Sequence, residues 1–186
     1  MSATDEARTK GPRVVLVGPM GAGKSTVGSL LGTRWGVPVR DTDRDVEQVA
    51  GKSVAEIFVD DGEERFRALE RDAVADALRS HTGVLALGGG AVLDPVTRTA
   101  LRGARVVFLQ VGLSDAVKRV GLGVGRPLLL GNVRSRIKAL LDERLPVYTE
   151  VAAHTVPTDG RTPEEVADEV ARLVEQPEQA GAERAR

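Results

Sequence analysis

The sequence has no cysteine among its 186 residues. Neither disulfides nor thiolate zinc sites can staple it, so a secreted disulfide scaffold is excluded. An excess of charge of one sign is lacking too: 26 Lys and Arg stand against 27 Asp and Glu, for a formal net charge of -1. With a pI near 6.2 there is no broad positive field to draw in a nucleic-acid backbone. Long hydrophobic runs are also missing, since none approaches the ~18 apolar residues that a membrane-spanning helix needs. The first residues, MSATDEARTKGP, hold no apolar stretch of the kind a secretory signal carries. A soluble, cytoplasmic, monomeric protein with neither nucleic acid nor membrane among its partners is the expectation.

What is present suffices for one domain. Hydrophobic residues make up 41% of the chain, few of them aromatic, and at this length roughly 70% of the surface exposed by the unfolded chain becomes buried. Of the 26 basic residues 21 are Arg and 5 Lys, and Arg can hold a carboxylate or phosphate through two hydrogen bonds. Short β-branched runs alternate with stretches of helical period, the pattern of parallel strands joined by crossover helices. Five strands are predicted, at Arg13–Val17, Val37–Arg40, Val84–Leu87, Arg105–Gln110 and His154–Pro157. The first, third and fourth are unbroken apolar runs, as expected when both faces of a sheet are covered. Helix starts are signalled by Ser53 with Glu56, by Asp94-Pro95 and by Thr162-Pro163-Glu164-Glu165. Residues 62–80 read as one helix with Phe66, Leu69, Ala73, Ala77 and Leu78 on one face and Arg and Glu mostly on the other. Residues 121–133, with four Gly and one Pro, read as a mobile loop, and 1–11 and 176–186 as disordered tails around a single domain of 12–175.

Chemistry enters with Gly18-Pro19-Met20-Gly21-Ala22-Gly23-Lys24-Ser25, which fits GxxxxGK[ST] between an apolar strand and a helical stretch from Thr26 to Trp35. Glycines at these positions let backbone N–H groups turn inward around a phosphate, and the helix N-terminus adds positive potential. Lys24 would reach the β and γ oxygens and Ser25 would ligate Mg²⁺. There is little room for the additional domains of motors and transporters, and the NKxD run of guanine recognition is absent. These features favour a small-molecule kinase.

Asp41-Thr42-Asp43 follows the second strand, at the edge where open α/β sheets place their ligands. Alternating side-chain directions would let both carboxylates point one way, one serving a metal's water shell and the other an acceptor hydroxyl. Read alone, Asp41 could simply end the strand and Asp43 cap a helix. Gly88-Gly89-Gly90 follows the third strand, where the backbone could approach a ligand closely with N–H groups free. No run of four apolar residues followed by Asp is found there, which leaves Ser25 and Asp41 as the metal's support.

The segments GPMGAGKST, DTD, GEERFRALE, LGGG, GRPLL and RLPVY, in this order, closely resemble those of shikimate kinase, over about residues 13–175. The resemblance implies a three-layer α/β/α P-loop kinase with a five-stranded parallel sheet in the order 2-3-1-4-5 and a flexible lid. It also implies ATP-dependent phosphorylation of the 3-hydroxyl of shikimate, in aromatic amino-acid synthesis. On this resemblance Asp43 contacts the acceptor hydroxyls, Arg67 and Arg144 grip the shikimate carboxylate, Glu70 steadies Arg67, and Gly88, Gly89 and Gly90 are substrate-binding backbone. Gly21, Ala22, Gly23, Lys24, Ser25 and Thr26 hold the nucleotide phosphates, and Arg126 is the lid arginine that closes on them. Arg119 and Pro163 form the two sides of the adenine slot, with Arg161 near the base. Whether Asp43 takes the proton or only orients the hydroxyl stays open, because in a loose phosphoryl-transfer transition state the proton can leave late. Two other classes compete: a related kinase for gluconate or a nucleoside monophosphate, and a nucleotide-binding module without turnover.

Overall fold

A computed structural model describes residues 11–121 and 130–176 of the chain. Arg126, most of the anticipated 121–133 loop and nearly all of both tails lie outside the described residues.

Five strands, β1 (Val14–Val17), β2 (Val39–Asp41), β3 (Val84–Ala86), β4 (Val106–Gln110) and β5 (His154–Pro157), form one sheet in the order β2-β3-β1-β4-β5, with every pair parallel. The helices that join them are α1 (Lys24–Trp35), α2 (Thr42–Ala50), α3 (Val54–Asp60), α4 (Gly62–Ser80), α5 (Pro95–Ala100), α6 (Leu113–Gly121), α7 (Leu130–Val151) and α8 (Pro163–Glu175). β1 is buried along its length, and its side chains alternate between the two faces. Val14 and Leu16 pack with Val27 and Leu31 of α1 and Val170 of α8, whereas Val15 and Val17 pack with Val74 and Ala77 of α4 and Tyr148 of α7. Helices therefore cover both faces, which gives the three-layer α/β/α arrangement.

All three helix-start signals operate. Ser53 and Glu56 make a reciprocal capping box, as do Thr162 and Glu165, and Asp94 accepts from the N–H groups of Val96 and Thr97 with Pro95 at the first helical position. α4 has the anticipated limits, but its inner face differs from expectation: Glu70 is only 3% exposed, buried with Phe66, Val74 and Ala77. A carboxylate on that stripe needs a partner, and Arg67 Nη1 supplies one at 2.6 Å from Glu70 Oε2. The 121–133 segment is narrower as a connection than expected, because α6 runs to Gly121 and α7 already begins at Leu130. α7 also continues through Pro146 to Val151, which carries Arg144 and Tyr148 on one helix.

Arg40 in the middle of β2 ties down the elements that bear the site. Its guanidinium reaches Asp45 of α2 at 2.7 Å, Asp76 of α4 at 2.8 Å and Ser80 at 3.0 Å. α2 and α4 are thereby held to the same strand.

Candidate active site

The carboxyl ends of the central strands converge on one place. After β1 the chain turns through residues 18–23 into α1, with Gly23 as the cap of that helix at φ 90. That left-handed conformation strains any residue with a Cβ, so the closing turn of the loop requires glycine. Lys24 Nζ donates to the carbonyls of Gly18 at 2.7 Å and Pro19 at 3.0 Å, folding back over the loop. Burial pulls its pKa down to about 8, against the opposing attraction of Asp43 and Asp41, while Arg144 adds to the lowering.

Asp41 is the last residue of β2 and both of its carboxylate oxygens are engaged. Oδ2 accepts from the Ser25 hydroxyl at 3.0 Å, and Oδ1 accepts from the Asp43 N–H at 3.0 Å, capping α2. Asp43 is therefore on a helix rather than on an extended strand, and the alternation expected of Asp41 and Asp43 does not operate. The turn into α2 brings Asp43 to the site instead. Asp41, not Asp43, is the cap. Burial pushes the Asp43 carboxyl up to about 6, with the neighbouring charges of Asp41 and Glu70 adding to the rise and Lys24 opposing it.

The three glycines after β3 are arranged differently from the expectation of a freely donating turn. Gly88 N–H is occupied, donating to Thr42 Oγ1 at 3.0 Å. None of the three has a positive φ, so Gly88 and Gly90 are there for space, while Gly89 lies in ordinary contact with its neighbours. A Cβ on Gly88 would collide with Asp43 Oδ1 and stand 2.7 Å from Glu70 Oε1; one on Gly89 would stand 3.6 Å from Arg144 Nη1; one on Gly90 would stand 2.5 Å from Arg67 Nη1. Each successive glycine thus faces a functional group: two carboxylates, then one guanidinium, then another. Arg67 is braced by Glu70 and, at 3.3 Å, by Glu63. Arg144 Nε is buried without a hydrogen-bond partner among the described residues.

On the opposite side of the loop Arg119 of α6 donates to Gly21 O at 3.1 Å and to Thr158 O at 2.9 Å. It links the phosphate-binding loop to the segment that leads from β5 to Pro163, the first residue of α8. Arg161 is committed to Pro157 O at 3.1 Å, Glu165 O at 2.9 Å and the Glu169 carboxylate at 2.6 Å. The sequence reading missed Thr42 and Tyr148. Tyr148, four residues after Arg144, donates its hydroxyl to Gly89 O. The signals were the middle residue of DTD and the last of RLPVY, segments read only for their charged members.

Among the described residues no cluster of three or more His, Cys, Asp and Glu could hold a metal by itself. The pair Ser25 and Asp41 nevertheless fits magnesium. Both are hard oxygen donors side by side, and that ion usually takes one or two protein oxygens and completes its shell with water and substrate phosphates. No helix of the described residues is long and apolar enough to cross a membrane.

A parallel sheet with a phosphate-binding loop on its central strand, facing a cluster of carboxylates and guanidinium groups across that loop, defines a P-loop phosphotransferase. The sequence model of the shikimate kinase family matches residues 20–175, and the chain belongs to that family. The shikimate kinase of Salinispora arenicola is 63% identical over 163 residues, covering 88% of this chain and 98% of that protein. The shikimate kinase of Thermobifida fusca is 59% identical over 161 residues, covering 87% of this chain and 94% of that protein. Among solved structures, shikimate kinase from Acinetobacter baumannii in complex with shikimate matches with a TM-score of 0.82 at 32% identity, over 92% of this chain and 96% of that one.

Proposed function

We propose that the chain transfers the terminal phosphoryl group of ATP to the 3-hydroxyl of shikimate, giving shikimate 3-phosphate and ADP, a step in chorismate and aromatic amino-acid biosynthesis. The observation that carries this reading is the row of Asp43, Arg144 and Arg67 over Gly88, Gly89 and Gly90, next to the phosphate-binding loop. A ring bearing one carboxylate and several hydroxyls needs a forked cation at one end and a hydroxyl acceptor at the other, and this row supplies both.

Arg67 and Arg144 hold the acceptor's carboxylate, Arg144 from beside Gly89 and Arg67 oriented by Glu70. Asp43 accepts a hydrogen bond from the reacting hydroxyl. With its pKa near 6 it is ionised at neutral pH yet basic enough to take the proton as the bond to phosphorus forms. Lys24 leaves the Gly18 and Pro19 carbonyls for the β and γ oxygens, and Gly21, Ala22, Gly23 and Thr26 contribute backbone at the head of α1. Arg119 and Pro163 flank the base. Arg161 steadies the segment that carries Pro163, its guanidinium being held by Pro157, Glu165 and Glu169. Arg126 closes on the phosphates. Ser25 and Asp41 hold magnesium, which when bound neutralises charge on the nucleotide phosphates.

The test is ADP release measured with shikimate, gluconate and nucleoside monophosphates in turn. Turnover with shikimate exceeding that with the others by orders of magnitude is the expected result. Preference for gluconate or for a nucleotide would overturn the acceptor assignment.

A further inference from the structure

The triglycine has no side chains of its own, yet three functional groups take their places against it. Two hydroxyls fix it from different sides. On one, Gly88 N–H donates to Thr42 Oγ1 at 3.0 Å, with Thr42 fully buried as the first residue of α2. On the other, Gly89 C=O accepts from the Tyr148 hydroxyl, whose ring stacks on Phe108 of β4 at 4.9 Å between centroids.

Each hydroxyl belongs to the helix that supplies a functional group to the same glycines. Thr42 precedes Asp43 on α2, and Asp43 meets Gly88; Tyr148 lies one turn beyond Arg144 on α7, and Arg144 meets Gly89. A slip of the triglycine relative to α2 would shift where Asp43 and Glu70 meet it. A slip relative to α7 would do the same for Arg144. Packing alone asks for neither hydroxyl, since Val fills the volume of Thr, and Phe keeps the stack on Phe108. Each hydroxyl adds a directional bond to one backbone atom of the glycine segment, and that of Tyr148 also lies beside the Arg144 guanidinium.

We infer that Thr42 and Tyr148 are positioning residues of the acceptor half-site, whose hydroxyls hold Gly88–Gly90 in register with α2 and α7 so that Asp43 and Arg144 meet one acceptor at once. The inference rests on the acceptor reading given above. Both hydroxyls are engaged with the glycine backbone, whereas on the nucleotide side Arg119 and Gly21 make the corresponding link.

The experiment compares Tyr148→Phe, Thr42→Val and Thr42→Ser with the parent chain, using steady-state kinetics in both substrates together with amide hydrogen exchange over residues 87–91 without ligand. Loss of one neutral hydrogen bond corresponds to a change of about three- to tenfold. Tyr148→Phe and Thr42→Val are expected to raise the acceptor KM by that factor and to leave the ATP KM within about twofold. Thr42→Ser, which keeps the hydroxyl and loses only a methyl group, restores the parent value. Exchange at the glycine amides speeds up in the first two variants and not in the third.

A general loss of stability would move both KM values or neither, and either result overturns the inference. So does Thr42→Ser behaving like Thr42→Val, or exchange that stays unchanged in Tyr148→Phe. If Thr42→Val does not fold, Tyr148→Phe decides alone, because its ring remains on Phe108. The exchange readout needs no substrate, so it stands apart from the acceptor's identity: a parent chain inactive on shikimate defeats the function proposed, while unchanged exchange defeats the positioning role.

Discussion

Arg67 rests its guanidinium against the backbone of Gly90: Nη1 and Nη2 stand 2.5 and 2.8 Å from the point where a Cβ on that glycine would be. Gly90 has φ -101 and ψ -7, a conformation open to any residue. Gly90→Ala therefore strains no backbone and displaces only the end of a long side chain. Thermal melting is expected to stay within a few degrees of the parent, while the acceptor KM rises on the order of tenfold. Gly83 gives the contrast, because a Cβ there collides with the backbone carbonyl of Pro38, which cannot swing away. Gly83→Ala should lower the melting temperature markedly, and a melting curve of each variant checks both statements.

The pH dependence follows from the two perturbed groups. Asp43 must be ionised to accept a proton and Lys24 protonated to hold phosphate, so kcat/KM is expected to trace a bell with an acid limb near the Asp43 value of about 6 and a basic limb near the Lys24 value of about 8. Stability depends on the same two groups with the opposite shape, lowest between the limbs. Asp43 is raised from 3.8, so between that value and about 6 the folded chain binds more protons than the unfolded one, and the Asp43 contribution falls as pH rises through the window. Lys24 is lowered from 10.5 to about 8, so there the unfolded chain binds more protons and the contribution rises with pH. Denaturant titrations across pH 4–6 should show a flatter or upward-tilted profile for Asp43→Asn relative to the parent.

Lys24→Met removes the charge that would meet the transferring group. It also frees the Gly18 and Pro19 carbonyls that the ammonium now caps. Turnover is expected to fall by several orders of magnitude, since stabilisation of charge on a transferring phosphoryl is mostly electrostatic. Single-turnover kinetics with a circular dichroism spectrum check this, and a variant that kept more than about a tenth of the parent kcat would contradict the role.

Most of the fold was legible because its signals are local. Unbroken apolar runs marked β1, β3 and β4, β5 has the predicted limits, and each cap was written in two or three residues. β2 begins two residues later and ends one residue later than predicted. Gly36 ends α1 in a left-handed turn, so Val37 still belongs to that turn, and pairing with β3 carries the strand on to Asp41. Glu70 could not be placed from helical period alone, because its burial depends on an ion pair with Arg67 inside the same stripe. The glycines were recognised as a close approach, but the sequence could not show that the approach is to the chain's own Asp43, Arg144 and Arg67. The roles of Thr42 and Tyr148 were invisible for the same reason, as their bonds run to backbone atoms 46 and 59 residues away.

On the proposed function, the cluster over Gly88–Gly90 separates gripping of the acceptor from chemistry on it. Arg67→Lys keeps the charge and loses the fork, and losing a charge-assisted bond costs about 1.5–3 kcal/mol. The acceptor KM should rise roughly ten- to a hundredfold with the ATP KM nearly unchanged. Asp43→Asn keeps a group that can hydrogen bond but cannot take a proton, so kcat should fall far more than acceptor binding weakens. Steady-state kinetics of this pair, with shikimate and ATP each varied, is the most direct measurement. Opposite signatures in the two variants are the predicted result, and an Arg67→Lys variant that raised the KM for ATP while leaving that for shikimate unchanged would contradict this division of roles.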